Sequence, residues 1–300
     1  MRAVWSFWSA PYEGYAGPVW GSQANHLLAW ALSFEAARRH HRETMLVTDS
    51  EGAALLVEGL GLEFGMVSLA LDGLGDVDPD WWTAGKLAAV ALQDRPFVHL
   101  DADVFLWRAL PERLRRGAVL SQNPEAFGPD HDWYRPDAFE TGVGGRGGWL
   151  PATWAWPEGA RTAPRGECCG IVGGRDLDLL HAWAEGGLRL LRHPANRAAL
   201  AALPDRRRLV ITLEQYHLAA VIEHRRAPVA HLFDDWADAL RPGRAEAAGY
   251  THLIAGAKRG WGVRRRLARR LRWENPTRYA RLRGLLASRE PVSRAHALVA

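Results

Sequence analysis

Two aspartates one residue apart stand at the end of a short apolar run, in Phe97-Val98-His99-Leu100-Asp101-Ala102-Asp103-Val104-Phe105-Leu106-Trp107. Carboxylates at i and i+2 just past a strand both reach one site if the backbone turns there. Such a pair suits a hard divalent cation, Mn²⁺ or Mg²⁺, able to bridge it to a diphosphate. A second cluster lies much later, in Tyr250-Thr251-His252-Leu253-Ile254-Ala255-Gly256-Ala257-Lys258. His252 offers a neutral ring nitrogen to a metal. Gly256 would allow a phosphate close to the backbone, and Lys258 supplies a compact cation for it. Lys86 and Lys258 are the only lysines among 38 basic residues, so each invites a functional reading.

Hydrophobic periodicity supplies the elements that must position these groups. Strands are expected at 3–8, 44–48, 66–71 and 96–100, separated by helical segments. Ser22 is the expected cap of the first long helix, and a Pro/Gly-rich loop is expected between 9 and 18. The alternation predicts an α/β fold with a mostly parallel sheet flanked by helices. Ligands in such sheets bind beyond the carboxyl ends of the strands, where both Asp49 and Asp101 fall. Residues 123–165 are irregular and rich in aromatics (Trp133, Tyr134, Trp149, Trp154, Trp156). A loop of that length is commonly functional, and this one is the expected acceptor-specific region.

Composition excludes several classes. At 300 residues, 48% hydrophobic and 24% charged, the chain is neither disordered nor fibrous. No apolar run approaches the roughly 20 residues of a membrane-spanning helix, and Met1–Tyr12 lacks the features of a signal peptide. A cytoplasmic location, with peripheral attachment to the inner face of a membrane, is the expectation. Cys168 and Cys169 are adjacent and give neither a disulfide framework nor zinc spacing. The net charge of +4 is unevenly spread: residues 259–285 hold ten Arg and one Glu, which leaves −5 for the rest.

The pairing of a DxD motif after a buried strand with a late His-x5-Lys segment resembles the GT-A nucleotide-sugar glycosyltransferases. The nearest group is the retaining one that includes glycogenin and the lipopolysaccharide galactosyltransferases. The likeness runs in order over residues 1 to about 258. His252 and Lys258 keep the group's separation of six, whereas Gly256 and Trp261 are each shifted by one. Cys169-Gly170-Ile171-Val172-Gly173-Gly174 is similar to its mid-chain small-residue strand near the sugar. Thr212-Leu213-Glu214-Gln215 resembles its acid–Gln pair at a helix head.

This resemblance implies a GT-A-like, Rossmann-like catalytic domain over 1–258, followed by a helical extension over 259–300. It implies sugar transfer from a nucleotide diphosphate sugar, a UDP-sugar above all, with retained anomeric configuration. The acceptor would be a carbohydrate, a lipid-linked or a small molecule. Asp101 would meet the ribose and the metal, Asp103 and His252 would complete the metal ligands, and Lys258 would neutralise the diphosphate. Asp49 and the 9–15 loop would lie near the nucleotide, Lys86 would reach the sugar or phosphate, and Glu214 and Gln215 would orient the reacting sugar.

Two other readings fit parts of the sequence. A haloacid-dehalogenase-type phosphatase also uses strand-DxDx(T/V), with Asp234-Asp235 as a later acid pair. Its nucleophile normally lies near the chain start, however, and the phosphate-binding Lys required between the two acid motifs is missing. A non-enzymatic adaptor would act through the basic tail. There Val263, Leu267 and Leu271 recur at four-residue spacing among arginines, a pattern suited equally to an anionic membrane over 259–286 and to docking on the acidic body. No RNA-binding aromatic motif accompanies these arginines, so nucleic acid is not an expected partner.

Overall fold

The computed structural model describes residues 1–126 and 134–289. Trp133 of the aromatic segment and the last eleven residues of the expected extension lie outside it. Among the described residues eleven strands follow one another: β1 (Arg2–Phe7), β2 (Thr44–Thr48), β3 (Met66–Ser68), β4 (Phe97–Leu100), β5 (Val104–Leu106), β6 (Val119–Ser121), β7 (Pro124–Ala126), β8 (Arg165–Glu167), β9 (Ile171–Gly174), β10 (Val229–His231) and β11 (Tyr250–His252). Seven of them form one sheet in the order β10-β6-β9-β4-β1-β2-β3. Its neighbours are parallel except that β9 runs against both β4 and β6. The expected mostly parallel α/β sheet is what the chain forms.

Both faces of this sheet are buried, which is why its strands read as nearly continuous apolar runs. Val4, Phe97 and Val172 face one apolar cluster, completed by helices at Ala84–Ala91 and Leu177–Arg192. Ala3, Trp5, Val98, Leu100 and Ile171 face the other, against the helix Gln23–Ala37. Ser22 caps that helix by accepting from the Asn25 amide, as its type predicts. β9 fits between β4 and β6 because Gly173 and Gly174 carry no side chain; a Cβ on either would run into the carbonyl oxygen of Phe97 or Ala118.

Two local expectations are corrected, and one alternative left open by the sequence is decided. The Pro/Gly segment after β1 is a helix, Ser9–Trp20; Pro11 lies in its first turn, where backbone N–H groups need no helical partner. The strand expected to reach residue 71 stops at Ser68 and gives way to a 3₁₀ turn over Ala70–Leu74. The basic tail forms two helices, Trp261–Glu274 and Pro276–Arg289, and its apolar side is turned inward. Val263, Leu267, Leu271 and Leu282 belong to the same buried cluster as Leu27 and Leu28. Several of its polar groups are also committed to the body. Arg278 donates to Glu35 Oε1 at 2.5 Å and to the Leu60 carbonyl at 3.2 Å, and Glu274 pairs with Arg39. The stripe that sequence offers to a membrane is therefore covered by the protein itself. Among the described residues no helix is long and apolar enough to cross a membrane.

His217, fully buried against Trp154, is pushed down to about 3 by desolvation. It is neutral in the fold and protonates near pH 6.5 when unfolded, so the unfolded state binds more protons between these values. Stability should fall as pH drops from about 6.5 toward 3, at up to about 1.4 kcal/mol per pH unit for this group. Chemical denaturation across that range should show a shallower decline in His217→Gln, which carries no titrating ring; parallel curves for the two proteins would contradict it.

Candidate active site and metal centre

β4 ends at Leu100, and the chain turns at once, with the Val104 amide donating to the Asp101 carbonyl at 3.0 Å. The turn carries both aspartates to the carboxyl edge of the sheet and starts β5. That strand then pairs antiparallel with β11, Val104 opposite His252, and the Leu253 amide donates to the Asp103 carbonyl at 3.0 Å. A two-stranded ribbon thus delivers His252 beside Asp103 from far along the chain. One ligand atom from each of Asp101, Asp103 and His252 lies within 4.8 Å of the others.

Lys258 arrives on the turn after β11, its Nζ 2.5 Å from Asp103 Oδ2 and 5.3 Å above the Trp20 ring. Asp103 Oδ1, buried and without a hydrogen-bond partner, lies 3.4 Å from His252 Nε2. Burial alone would raise the Asp103 pKa, but the Lys258 ammonium beside it outweighs burial and holds this carboxyl far below the usual range. An unsatisfied buried oxygen, a second carboxylate and an imidazole nitrogen form a donor set that fits Mn²⁺ or Mg²⁺.

Lys86 does not reach outward as expected. It lies in the first turn of the helix Ala84–Ala91 and is 5% exposed. Its ammonium meets Asp101 Oδ1 at 2.8 Å, Glu214 Oε1 at 2.5 Å and the Cys169 carbonyl at 3.0 Å. Its ammonium is hydrogen-bonded to that carbonyl and ion-paired with both carboxylates, so it is turned into the protein rather than toward a sugar or phosphate. Desolvation opposes the lysine's charge, yet the two carboxylates prevail and raise its pKa. Burial raises Asp101 and Glu214, with Lys86 pulling each the other way. Glu214 itself is 1% exposed, and its carboxylate is paired with Lys86.

The remaining expected residues lie as follows. Asp49 is the cap of a short helix over Ser50–Ala53: Oδ1 accepts from the Gly52 amide, and Oδ2 accepts from the amide and hydroxyl of Ser9. Its carboxylate is taken up in joining β2 to the start of the first helix. Gln215 meets the Tyr134 hydroxyl at 2.5 Å. Gly256 lies in an open turn where a Cβ would touch nothing, so close packing does not explain it. Asp235 caps the helix Trp236–Leu240 instead of joining Asp101 and Asp103. Of the aromatic segment, Trp154 is a core residue at 1% exposure, not a platform.

Sequence reasoning gave no role to three neighbours. Gln122 Oε1 lies 2.7 Å from His252 Nδ1 and accepts from the Tyr250 hydroxyl at 2.6 Å. His99 lies 3.7 Å from Asp101 and shares a hydrogen bond with Ser6. Gly170, which was noted only as part of a small-residue strand, gives His252 its room: a Cβ there would come within 2.6 Å of the ring. Gln122 was visible as a polar residue just past an apolar strand, the position at which such sheets bind ligands.

A family model described as a family of unknown function (DUF6734) matches residues 1–285. No curated protein matches the chain. Among solved structures, it is similar to the galactosyltransferase LgtC in complex with donor and acceptor sugar analogues, at 12% identity, with 95% of each chain covered and a TM-score of 0.41. It is also similar to mouse xyloside xylosyltransferase 1 in its apo form, at 13% identity, with 83% of this chain and 92% of that one covered and a TM-score of 0.36. Likenesses this distant establish no chemistry for the present chain.

Removing the cation from a buried pair leaves its partners uncompensated, at a cost of about 3–5 kcal/mol. Lys86→Met, which strands Asp101 against Glu214, should lower the urea midpoint accordingly in metal-free protein at neutral pH. An unshifted midpoint would mean that water reaches these carboxylates.

Proposed function

This chain belongs to DUF6734, a family of unknown function, and we propose that it is a metal-dependent glycosyltransferase that moves a sugar from a nucleoside diphosphate sugar to an acceptor. The observation that carries the reading is the β5–β11 register. It gathers an Asp-x-Asp pair, a histidine and a lysine at the carboxyl edge of a largely parallel sheet, where the sequence places no other reason for them to meet.

Asp101, Asp103 and His252 would hold a divalent cation, Mn²⁺ or Mg²⁺. When bound, that cation would act as a Lewis acid on the diphosphate leaving group. Three carboxylates (Asp101, Asp103, Glu214) and two lysines (Lys86, Lys258) give the cluster a formal charge of −1 with its histidines neutral. A dication reverses this to +1, a sign that attracts a diphosphate. The Lys258 ammonium, now against Asp103, would then move to the phosphate oxygens. Lys86 remains inside, orienting Asp101 through its contact with Oδ1.

The donor is read as a UDP-sugar, and the acceptor as a carbohydrate, lipid-linked or small molecule. Retention of configuration suits a site whose expected acid, Glu214, is tied to Lys86 and is not free to serve as a base. The catalytic part is taken as 1–258. Residues 259–300 are read as the extension, described as helical over Trp261–Glu274 and Pro276–Arg289, whose exposed arginines remain open to an anionic membrane surface although its apolar side does not.

A thermal-shift panel of nucleoside diphosphates with and without Mn²⁺ tests the donor class. A ligand at 100 times its dissociation constant adds about 2.7 kcal/mol, so UDP with Mn²⁺ should raise the Tm by several degrees and UDP alone much less. A flat response to every diphosphate would remove the reading. Asp103→Ala should abolish transfer from the donor identified in this way while the circular dichroism spectrum stays that of the parent; wild-type turnover in this variant would remove the metal assignment.

A further inference from the structure

We infer that Gln122 is a positioning residue for the metal site: it locks His252 in the tautomer that carries its proton on Nδ1, so that Nε2 is the ligand atom. The ligand role rests on the metal reading above; the tautomer does not.

The orientation of each amide in this part of the protein is anchored on a backbone carbonyl. Asn123 Nδ2 donates to the Pro124 carbonyl at 3.0 Å. A carbonyl only accepts, so the Asn123 nitrogen must lie on that side and its Oδ1 on the other. Asn123 Oδ1 in turn accepts from Gln122 Nε2 at 3.0 Å. That contact turns Gln122 Oε1 toward His252 Nδ1, 2.7 Å away, and toward the Tyr250 hydroxyl at 2.6 Å. An amide oxygen is also only an acceptor, so both neighbours must donate to it. The His252 proton is therefore on Nδ1.

The relay is rigid as well as oriented. Gln122 is 2% exposed and Asn123 is fully buried. The Gln122 amide donates to the Cys168 carbonyl at 3.0 Å, and the Cys168 amide donates to the Asn123 carbonyl at 2.9 Å. From the other side, the Phe233 amide donates to the Gln122 carbonyl at 2.9 Å. The segment between β6 and β7 that carries the relay is thus pinned on both flanks, and Gly170 lets the imidazole lie against it without a Cβ between them.

The consequence falls on the far side of the ring. A neutral imidazole with its proton on Nδ1 presents a lone pair at Nε2. That nitrogen faces Asp103 Oδ1 at 3.4 Å, the buried oxygen that has no hydrogen-bond partner. Two electron-rich atoms confronting each other out of water are a poor arrangement by themselves and a good one around a cation. With the proton on Nε2 instead, the ring would donate to Asp103 and block the same position. Partners that fix a ligand's tautomer in this way are commonly worth 10–100-fold in metal affinity.

The test uses the full chain and two readouts. In metal-free protein with ¹⁵N-labelled histidine, the neutral His252 ring should show a protonated Nδ1 and an unprotonated Nε2. An Nε2–H ring in the parent protein would overturn the lock, and this measurement needs no variant. By calorimetric titration with Mn²⁺ alone, Gln122→Leu should bind 10–100-fold more weakly than the parent. Tyr250→Phe, which removes the other bond to the same oxygen but leaves the acceptor of His252 in place, should bind as the parent does. Parent-like Mn²⁺ affinity in a folded Gln122→Leu, or equal losses in both variants, would overturn the positioning role. A parent protein with the Nδ1–H ring that takes up no Mn²⁺ would overturn the ligand role together with the metal reading, whereas loss confined to Gln122→Leu leaves the metal reading intact.

Discussion

Three carboxylates gathered in one site, Asp103 and Glu214 buried and Asp101 30% exposed, are the constraint to which the rest of the structure answers. A buried charge is tolerable only when paired and hydrogen-bonded. Lys86 compensates Asp101 and Glu214 from inside, and Lys258 compensates Asp103 from the solvent side. The two lysines are not equivalent. One is enclosed by three acceptors and is part of the fold, while the other, at 19% exposure, can exchange its partner for a ligand. The cluster's remaining negative charge is what makes a dication a natural occupant.

The sheet exists, for this purpose, to hold that cluster at its edge. β4 delivers the aspartates, the ribbon of β5 and β11 delivers His252 and Lys258, and the helix Ala84–Ala91 delivers Lys86. β9 passes between β4 and β6 on glycines and brings both the Cys169 carbonyl that receives Lys86 and the Gly170 that makes room for His252. The C-terminal helices close the opposite face. Their arginines look like a separate charged module in the sequence, but Arg278 is buried against Glu35 and so serves as a strut of the core.

Much of this was legible beforehand, for identifiable reasons. Strands buried on both faces announce themselves as apolar runs, so β1, β2 and β4 stand within a residue or two of their expected bounds. The Asp-x-Asp pair is conspicuous because two charges interrupt such a run. What misled was local composition. Pro and Gly between residues 9 and 18 suggested a loop, but a proline in a first turn costs a helix nothing. The amphipathic basic tail left membrane and body equally open, because an apolar stripe does not say which apolar surface will cover it.

The sequence by itself determined the chemistry available: which groups can carry charge, which segments are apolar enough to become strands, and that two aspartates follow one of them. Only the tertiary structure decided the assignments among those groups. Lys86 and Lys258 are the same residue type, and nothing local distinguishes the one locked between two acids from the one left beside Asp103. Likewise the state of His252 is set by Gln122, whose own orientation traces through Asn123 to a backbone carbonyl at Pro124. Periodicity is a short-range property and reports which face of an element is buried. Protonation, pairing and desolvation depend on which distant groups are brought within about 3 Å, and strand register and packing settle that.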